Sequence, residues 1–538
     1  MIESIKKHGV DILMLNKKLD NNTCNKIKDN NSTIYLIDYS EKYYNYLCEN
    51  YPWLEPRIQG ILTNTNDRMA GSIIKGDHDR KLKNKQVPIY SYDHITKIDE
   101  DVYFIILNDY YNEIFLKLQK IDEANNQNHF NIYFFPDYET EIQLEYRDKL
   151  KDEPLKDILV FKSGPHITQY VKGMDFDDNA RAVFEYLVSE GFDSKWHIVW
   201  LVHDPDEYNR LYADHPNIEF IPEQWAFSDN EEERSHYYNN LFLARYIFCT
   251  DAYGFARNCR ENQIRVQLWH GCGYKTRINF VRCEHRYEYN IVIGDVYKAI
   301  HKRIYGLRDD QVLITGYPKE DWLFNPLDDW RKMFSIPEGE KYIFWMPTFR
   351  NSNSVLSELD EKGFEGDTGL PIVKSNEQVK QLNELLKELD VVLVLKLHPM
   401  QERSKIRFPK DSNICILEND RLVEKHIPIN RILGNAEALI SDYSSVAIDY
   451  LILDRPQAFT LEDVDEYKNS RGFVFDNIHE WLPGKEIWTF EDFTDFVREI
   501  GNGEDPDREI RAKIKNKIHD LEGGKSCERL VKMLGIEK

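Results

Sequence analysis

The sequence predicts an α/β protein made of three consecutive units, and three observations carry that expectation. Short apolar runs of strand length alternate with polar stretches able to form helices along most of the chain. The runs fall into three groups, set apart by charged or turn-rich segments. Hydrophobic residues are 41% and aromatics 13% of the 538 residues, which supports several cores and excludes a disordered chain.

The first group is VDILML (10–15), TIYLID (33–38), IQGILT (58–63), VPIYSY (87–92) and VYFIIL (102–107), a small α/β unit without a glycine-rich phosphate loop. The stretch EYRDKLKDEPLKD (145–157) reads as a solvated connector, which puts the first boundary near residue 150. Next come ILVFKS (158–163), HIVWLV (197–202), RYIFCT (245–250), IRVQLWHG (264–271) and YNIVIGD (289–295), with ARAVFEYLVSEG (180–191) as an amphipathic helix. After the turn TGYPKEDWLF (315–324) the third series is KYIFWMPT (341–348), VVLVLKLHP (391–399), NICIL (413–417), EALISDYSS (437–445) and RPQAFT (455–460). Leucines at helical spacing in NEQVKQLNELLKELD (376–390) add a helix. VAIDYLILDRP, after the SDYSS stretch, reads as another helix, stopped by Pro456. The expected units are therefore 1–150, 151–315 and 316–538, with a ligand cleft between the last two at the carboxyl ends of their strands.

Acidic residues outnumber basic ones 93 to 70, and the net charge of -23 argues against nucleic acid as a partner. Salt screens that charge within about 10 Å, so a small anionic substrate in a local basic pocket is still compatible with it. Eight scattered cysteines with no CxxC pair read as reduced thiols of a cytoplasmic protein rather than a disulfide or zinc framework. The N-terminus lacks the apolar core of a secretion signal, and no apolar run approaches the roughly 20 residues that span a bilayer. Any membrane contact is expected to be peripheral.

Three motifs carry chemistry. His270-Gly271 directly follows a buried strand, where the turn presents an imidazole able to take a proton from a hydroxyl nucleophile. A core histidine beside a turn glycine fits the same pattern. Lys396 and His398 end the strand VVLVL before Pro399, with cation and imidazole on one face. Ser444 and Ser445 end another strand and open a helix, a place where free N–H groups hold phosphate, although an ordinary helix cap is the alternative. Asp442 suits positioning a histidine or capping better than touching phosphate. Thr348 and Arg350 in MPTFR, and Arg471 in SRGF, offer further phosphate contacts or, for the arginines, surface ion pairs. The pairs Asp204–Asp206 and Asp463–Asp465 read as solvated loop charges, and no metal is expected.

Taken in order, QLWHG, TGYP, MPTFR, LKLHP and SDYSSVAIDY resemble the CDP-glycerol glycerophosphotransferase family, the teichoic acid polymerases and primases, from about residue 161 to the C-terminus. The resemblance implies a GT-B-like pair of Rossmann-like domains and a metal-independent reaction with no cofactor. In that reaction glycerol phosphate, or ribitol phosphate, passes from CDP-glycerol or CDP-ribitol to a hydroxyl of a polymer or lipid-linked acceptor, and CMP is released. It assigns catalysis to His270 and His398 and phosphate binding to Ser444 and Ser445. Gly271, Thr348, Arg350, Lys396 and Arg471 join the donor site, with Asp442 in support. The sequence departs from the family pattern at Cys272, at Phe349 and in the turn Pro318-Lys319-Glu320-Asp321. The rival expectations are a nucleotide-sugar glycosyltransferase of the same architecture and a non-catalytic scaffold in envelope-polymer or capsule assembly.

Overall fold

The computed structural model describes residues 33–37, 44, 48, 51–63, 79–81, 86–91, 102–106, 130–134, 138–164, 173–250, 258–276, 287–348, 366–397, 408, 411–470 and 472–538. The run at 10–15 lies outside them.

Strands β1 (Thr33–Ile37), β2 (Ile58–Thr63), β3 (Asp79–Lys81), β4 (Gln86–Ser91), β5 (Val102–Ile106) and β6 (Phe130–Phe134) form the first sheet, in the order β3-β4-β2-β1-β5-β6. All its pairs are parallel except β3 with β4. The second sheet is wholly parallel and has seven strands: β7 (Lys156–Ser163), β8 (His197–Val202), β9 (Ile218–Pro222), β10 (Ala244–Thr250), β11 (Ile264–Gln267), β12 (Tyr289–Val292) and β13 (Val312–Ile314). Its order is β13-β12-β11-β10-β7-β8-β9. The third, also parallel, takes β14 (Lys341–Trp345), β15 (Val391–Leu395), β16 (Ile414–Ile416), β17 (Ala438–Ser441), β18 (Gln457–Thr460) and β19 (Lys485–Ile487) in the order β16-β15-β14-β17-β18-β19. In each sheet the chain runs outward from its first strand and then returns to that strand's other side. The resulting switch point opens a crevice beyond the carboxyl ends, where α/β sheets bind ligands.

The helices used below are α1 (Tyr138–Leu150), α2 (Asp178–Ser189), α3 (Glu231–Leu243), α4 (Asp295–Tyr305), α5 (Asn376–Glu388), α6 (Ser445–Leu451), α7 (Phe490–Asn502), α8 (Arg508–Ile518) and α9 (Ser526–Met533). Helix α2 buries Ala180, Val183, Phe184 and Leu187, an i, i+3, i+4, i+7 stripe laid on the second sheet. Helix α5 starts in a capping box between Ser375 and Gln378 and buries Val379, Leu382 and Leu386. The third sheet divides its side chains by strand alternation. Phe344, Val392, Val394 and Leu439 join the core that continues into the second sheet, while Ile343, Trp345, Leu393, Leu395 and Ile440 pack with α5 and α7.

The structure differs from the sequence reading in three places. The stretch expected as a solvated connector is half helix: α1 buries Ile142, Tyr146 and Leu150, Tyr146 stacks on Tyr238 of α3 at 4.7 Å, and Asn258 donates to Gln143. A cut near 150 would separate this helix from the core it covers. At the other end, the chain crosses back. Backbone N–H groups of Ser526 and Cys527 donate to Asp321, Tyr246 donates to the Leu534 carbonyl and Trp196 to that of Glu537, so residues 526–538 pack with the second sheet rather than the third. The third difference is that α6 ends at Leu451, before Asp454 with φ +54°, and Pro456 accepts a bond from Leu439 at the mouth of β18 instead of stopping a helix.

A truncation tests the first of these differences. A chain beginning at Tyr138 is expected to melt well above one beginning at Leu155, because each large apolar side chain removed from the α1 contact is worth about 1.5–3 kcal/mol. Equal melting temperatures by circular dichroism would show that α1 contributes nothing to the second core.

Candidate active site

Strand register brings the third sheet's motif residues to one edge. Trp345 pairs with both Leu395 and Ile440, so Thr348, Lys396 and Asp442 all follow level strand ends around the β14/β17 switch point. Asp442 is buried and ties two of those ends together. Its carboxylate accepts from the Thr348 N–H at 2.7 Å, from the Thr348 hydroxyl, and from the Ser444 N–H at 3.2 Å. Ser444 precedes α6, and its hydroxyl makes no capping bond to the helix. Lys396 Nζ lies 3.3 Å from Asn419 Oδ1 and from the Leu397 carbonyl. His398, Arg350 and Arg471 lie outside the described residues.

His270 comes from the second sheet, just past β11, and its side chain is exposed. Just before it, Trp269 has φ +50°, a conformation that a residue other than glycine needs outside support to hold, and Gly271 after it has φ +147°, which glycine allows. That support is visible. Asn179 Nδ2 donates to the carbonyls of Leu268 at 3.1 Å and Trp269 at 2.8 Å, and Lys319 Nζ donates to the carbonyl of His270. The Trp269 indole stacks on Tyr305 at 4.1 Å and donates to Asn290.

The two strand-end clusters meet. A Cβ on Gly271 would stand 3.0 Å from both Cβ and Oγ of Ser445, and one on Gly273 would stand 3.4 Å from Ser445 Cβ. At Gly271 the φ of +147° together with this close contact favours glycine. Lys275 reaches across the same gap, with Nζ 3.3 Å from Thr348 Oγ1, and its neighbours pair with residues 472–474 through Thr276 N to Gly472 O at 3.1 Å. His270, Gly271, Thr348, Asp442, Ser444 and Ser445 therefore gather where the strand ends of the second and third sheets meet.

The sequence reading did not single out as site residues five groups beneath these strand ends. Lys319 is buried, 3.2 Å from Asp449 of α6 and 3.5 Å from Asp178 at the start of α2. Burial works against its charge, but the two carboxylates outweigh that and push its pKa up. Burial likewise pushes the Asp449 carboxyl up to about 6 against the pull of Lys319, and holds Glu320 well above the usual carboxylate range. Asn179 completes the set by accepting from the Lys319 N–H at 3.0 Å. One sequence signal was present: Asp449 is a lone acid inside the apolar helix SVAIDYL. Of the acidic pairs, Asp463 accepts from the Tyr443 hydroxyl at 3.0 Å, and among the described residues no three His, Cys, Asp or Glu side chains are grouped as a metal site would require.

Residues 156–535 match the family described as CDP-Glycerol:Poly(glycerophosphate) glycerophosphotransferase. The chain belongs to this family. It is 25% identical over 335 residues to the teichoic acid ribitol-phosphate polymerase TarK of Staphylococcus aureus, covering 57% of this chain and 61% of that one. It is 26% identical over 343 residues to a teichoic acid poly(glycerol phosphate) polymerase of Staphylococcus epidermidis, covering 58% of this chain and 42% of that one. The matched region thus spans about half the length of these relatives. Among solved structures, the wall teichoic acid polymerase TagF superposes with a TM-score of 0.54 at 18% identity, over 79% of this chain and 97% of that chain. The GT-B-like pairing of Rossmann-like sheets is therefore common to both. No helix among the described residues is long and apolar enough to cross a membrane.

Proposed function

We propose that this protein transfers an alditol phosphate, glycerol phosphate first among the candidates, from a CDP-activated donor to a hydroxyl of a cell-envelope polymer or lipid-linked acceptor. The observation that carries the reading is the meeting of the His270 loop with Ser445 at the start of α6, next to Ser444, in a chain of this family. His270 takes the proton of the acceptor hydroxyl. The acceptor oxygen then bonds to the donor's β-phosphorus, the bridging P–O bond breaks, and CMP leaves with the electron pair. The serines and nearby backbone N–H groups hold phosphate oxygens, Lys396 lies at the neighbouring strand end, and His398, Arg350 and Arg471 complete the donor site by their places in the motifs. Positioning and preorganised charge do most of the work in such transfers.

A screen of CDP-glycerol, CDP-ribitol and nucleotide sugars with candidate acceptors, read by mass spectrometry of the released nucleotide, tests this. CMP is the expected product. Release of a nucleoside diphosphate would identify a glycosyltransferase, and no turnover of any donor would favour a scaffold.

The reading needs no metal, because the phosphate contacts it names are hydroxyls, backbone N–H groups, lysine and arginine. EDTA is expected to leave transfer largely intact; loss of activity restored by magnesium or manganese would contradict that. Contact with a membrane is part of the proposal only where a lipid-linked acceptor places its hydroxyl at the bilayer surface, and it is then peripheral.

A further inference from the structure

The loop that presents His270 is held by its backbone carbonyls as well as by the Trp269 side chain. Asn179 secures two of these carbonyls, and Lys319 secures that of His270 itself. An ammonium group has three N–H donors. Here they face three acceptors, namely the His270 carbonyl, Asp449 and Asp178. Those acceptors belong to three different pieces of the fold. The carbonyl is in the loop after β11, Asp178 opens α2, and Asp449 lies one turn beyond Ser445 on α6, on the same helix face. Lys319 sits in the turn Pro318–Phe324, whose N–H at Lys319 is fixed by Asn179 and whose Lys319 carbonyl accepts from Asn430 at 3.3 Å.

We propose that Lys319 is a positioning residue for the transfer: its ammonium locks the His270 backbone against the helix that begins at Ser445, and so sets the distance between base and donor phosphate. This rests on the reading of His270 as the base. Two features make a single buried cation decisive. Trp269, directly before His270, holds a φ of +50° that is sparsely populated for a residue other than glycine and persists only when neighbours over-determine it. A Cβ on Gly271 would stand 3.0 Å from Ser445, so the loop already lies against the start of α6 and a shift of the loop changes the base-to-phosphate distance directly. Misplacement of a reacting group by about 1 Å costs on the order of a hundredfold in rate.

The test compares Lys319→Met, which keeps length and removes charge, with Lys319→Arg, Asp449→Asn and His270→Ala. Single-turnover rates with CDP-glycerol and an acceptor are measured alongside donor affinity by calorimetry and thermal melts. Lys319→Met is expected to lower the rate at least about tenfold with donor affinity little changed, and Lys319→Arg to recover most of the rate. A folded Lys319→Met with the normal rate, or an arginine variant as impaired as the methionine one, overturns the inference. If Lys319→Met does not fold, Asp449→Asn decides, because it loosens the same tie while leaving Asp178 to balance the lysine; a reduced rate with retained donor affinity supports the positioning role, and an unchanged rate overturns it. A folded His270→Ala with the normal rate overturns the base assignment itself, whatever Lys319 does.

Discussion

Replacing His270 with alanine is expected to cut turnover at least about a hundredfold in a protein that still folds, since a positioned general base contributes roughly 10²–10⁴. The side chain is exposed, so its removal opens no cavity. The loop keeps its shape because its backbone carbonyls are held by Asn179 and Lys319, neither of which depends on the imidazole. The melting temperature should therefore stay close to that of the unmodified protein while the single-turnover rate collapses. A well-folded variant that turns over at a near-normal rate would remove His270 from the chemistry. His398→Ala carries the same expectation from its place at the end of VVLVL.

Asp442→Ala is expected to lower both stability and donor affinity. The carboxylate is buried and takes bonds from the Thr348 N–H, the Thr348 hydroxyl and the Ser444 N–H. Alanine leaves those donors without their acceptor, at about 1–3 kcal/mol for each buried group that finds no water. The same bonds hold the β14 and β17 ends on the two sides of the switch point, so donor affinity should fall at least about tenfold, the equivalent of 1.4 kcal/mol. Chemical denaturation and calorimetry read the two effects separately. Unchanged donor affinity in a destabilised protein would confine Asp442 to the fold.

Much of the architecture was legible because strands of parallel sheets are buried on both faces and read as continuous apolar runs. HIVWLV, RYIFCT, VVLVL and EALIS all announce themselves in this way. The strands β6, β9, β13 and β19 gave no comparable signal; each lies at a sheet edge, pairs on one side, and three of them carry a charge, a proline or only three residues. Helix α1 was hidden by its charges, although Ile142, Tyr146 and Leu150 recur at i, i+4, i+8. The strand-end motifs were visible because turns after buried strands concentrate glycine, histidine and serine. Their mutual contact was not, since the Gly271 to Ser445 approach and the Lys319 tie join segments far apart in sequence and leave no local pattern.

Donor labelled in the β-phosphate tests the central claim most directly. If an alditol phosphate is transferred, the label leaves the nucleotide, appears in the acceptor as a phosphodiester, and the released nucleotide is unlabelled CMP. Label retained in a released CDP would place the broken bond on the alditol side of the phosphate and contradict transfer at the β-phosphorus.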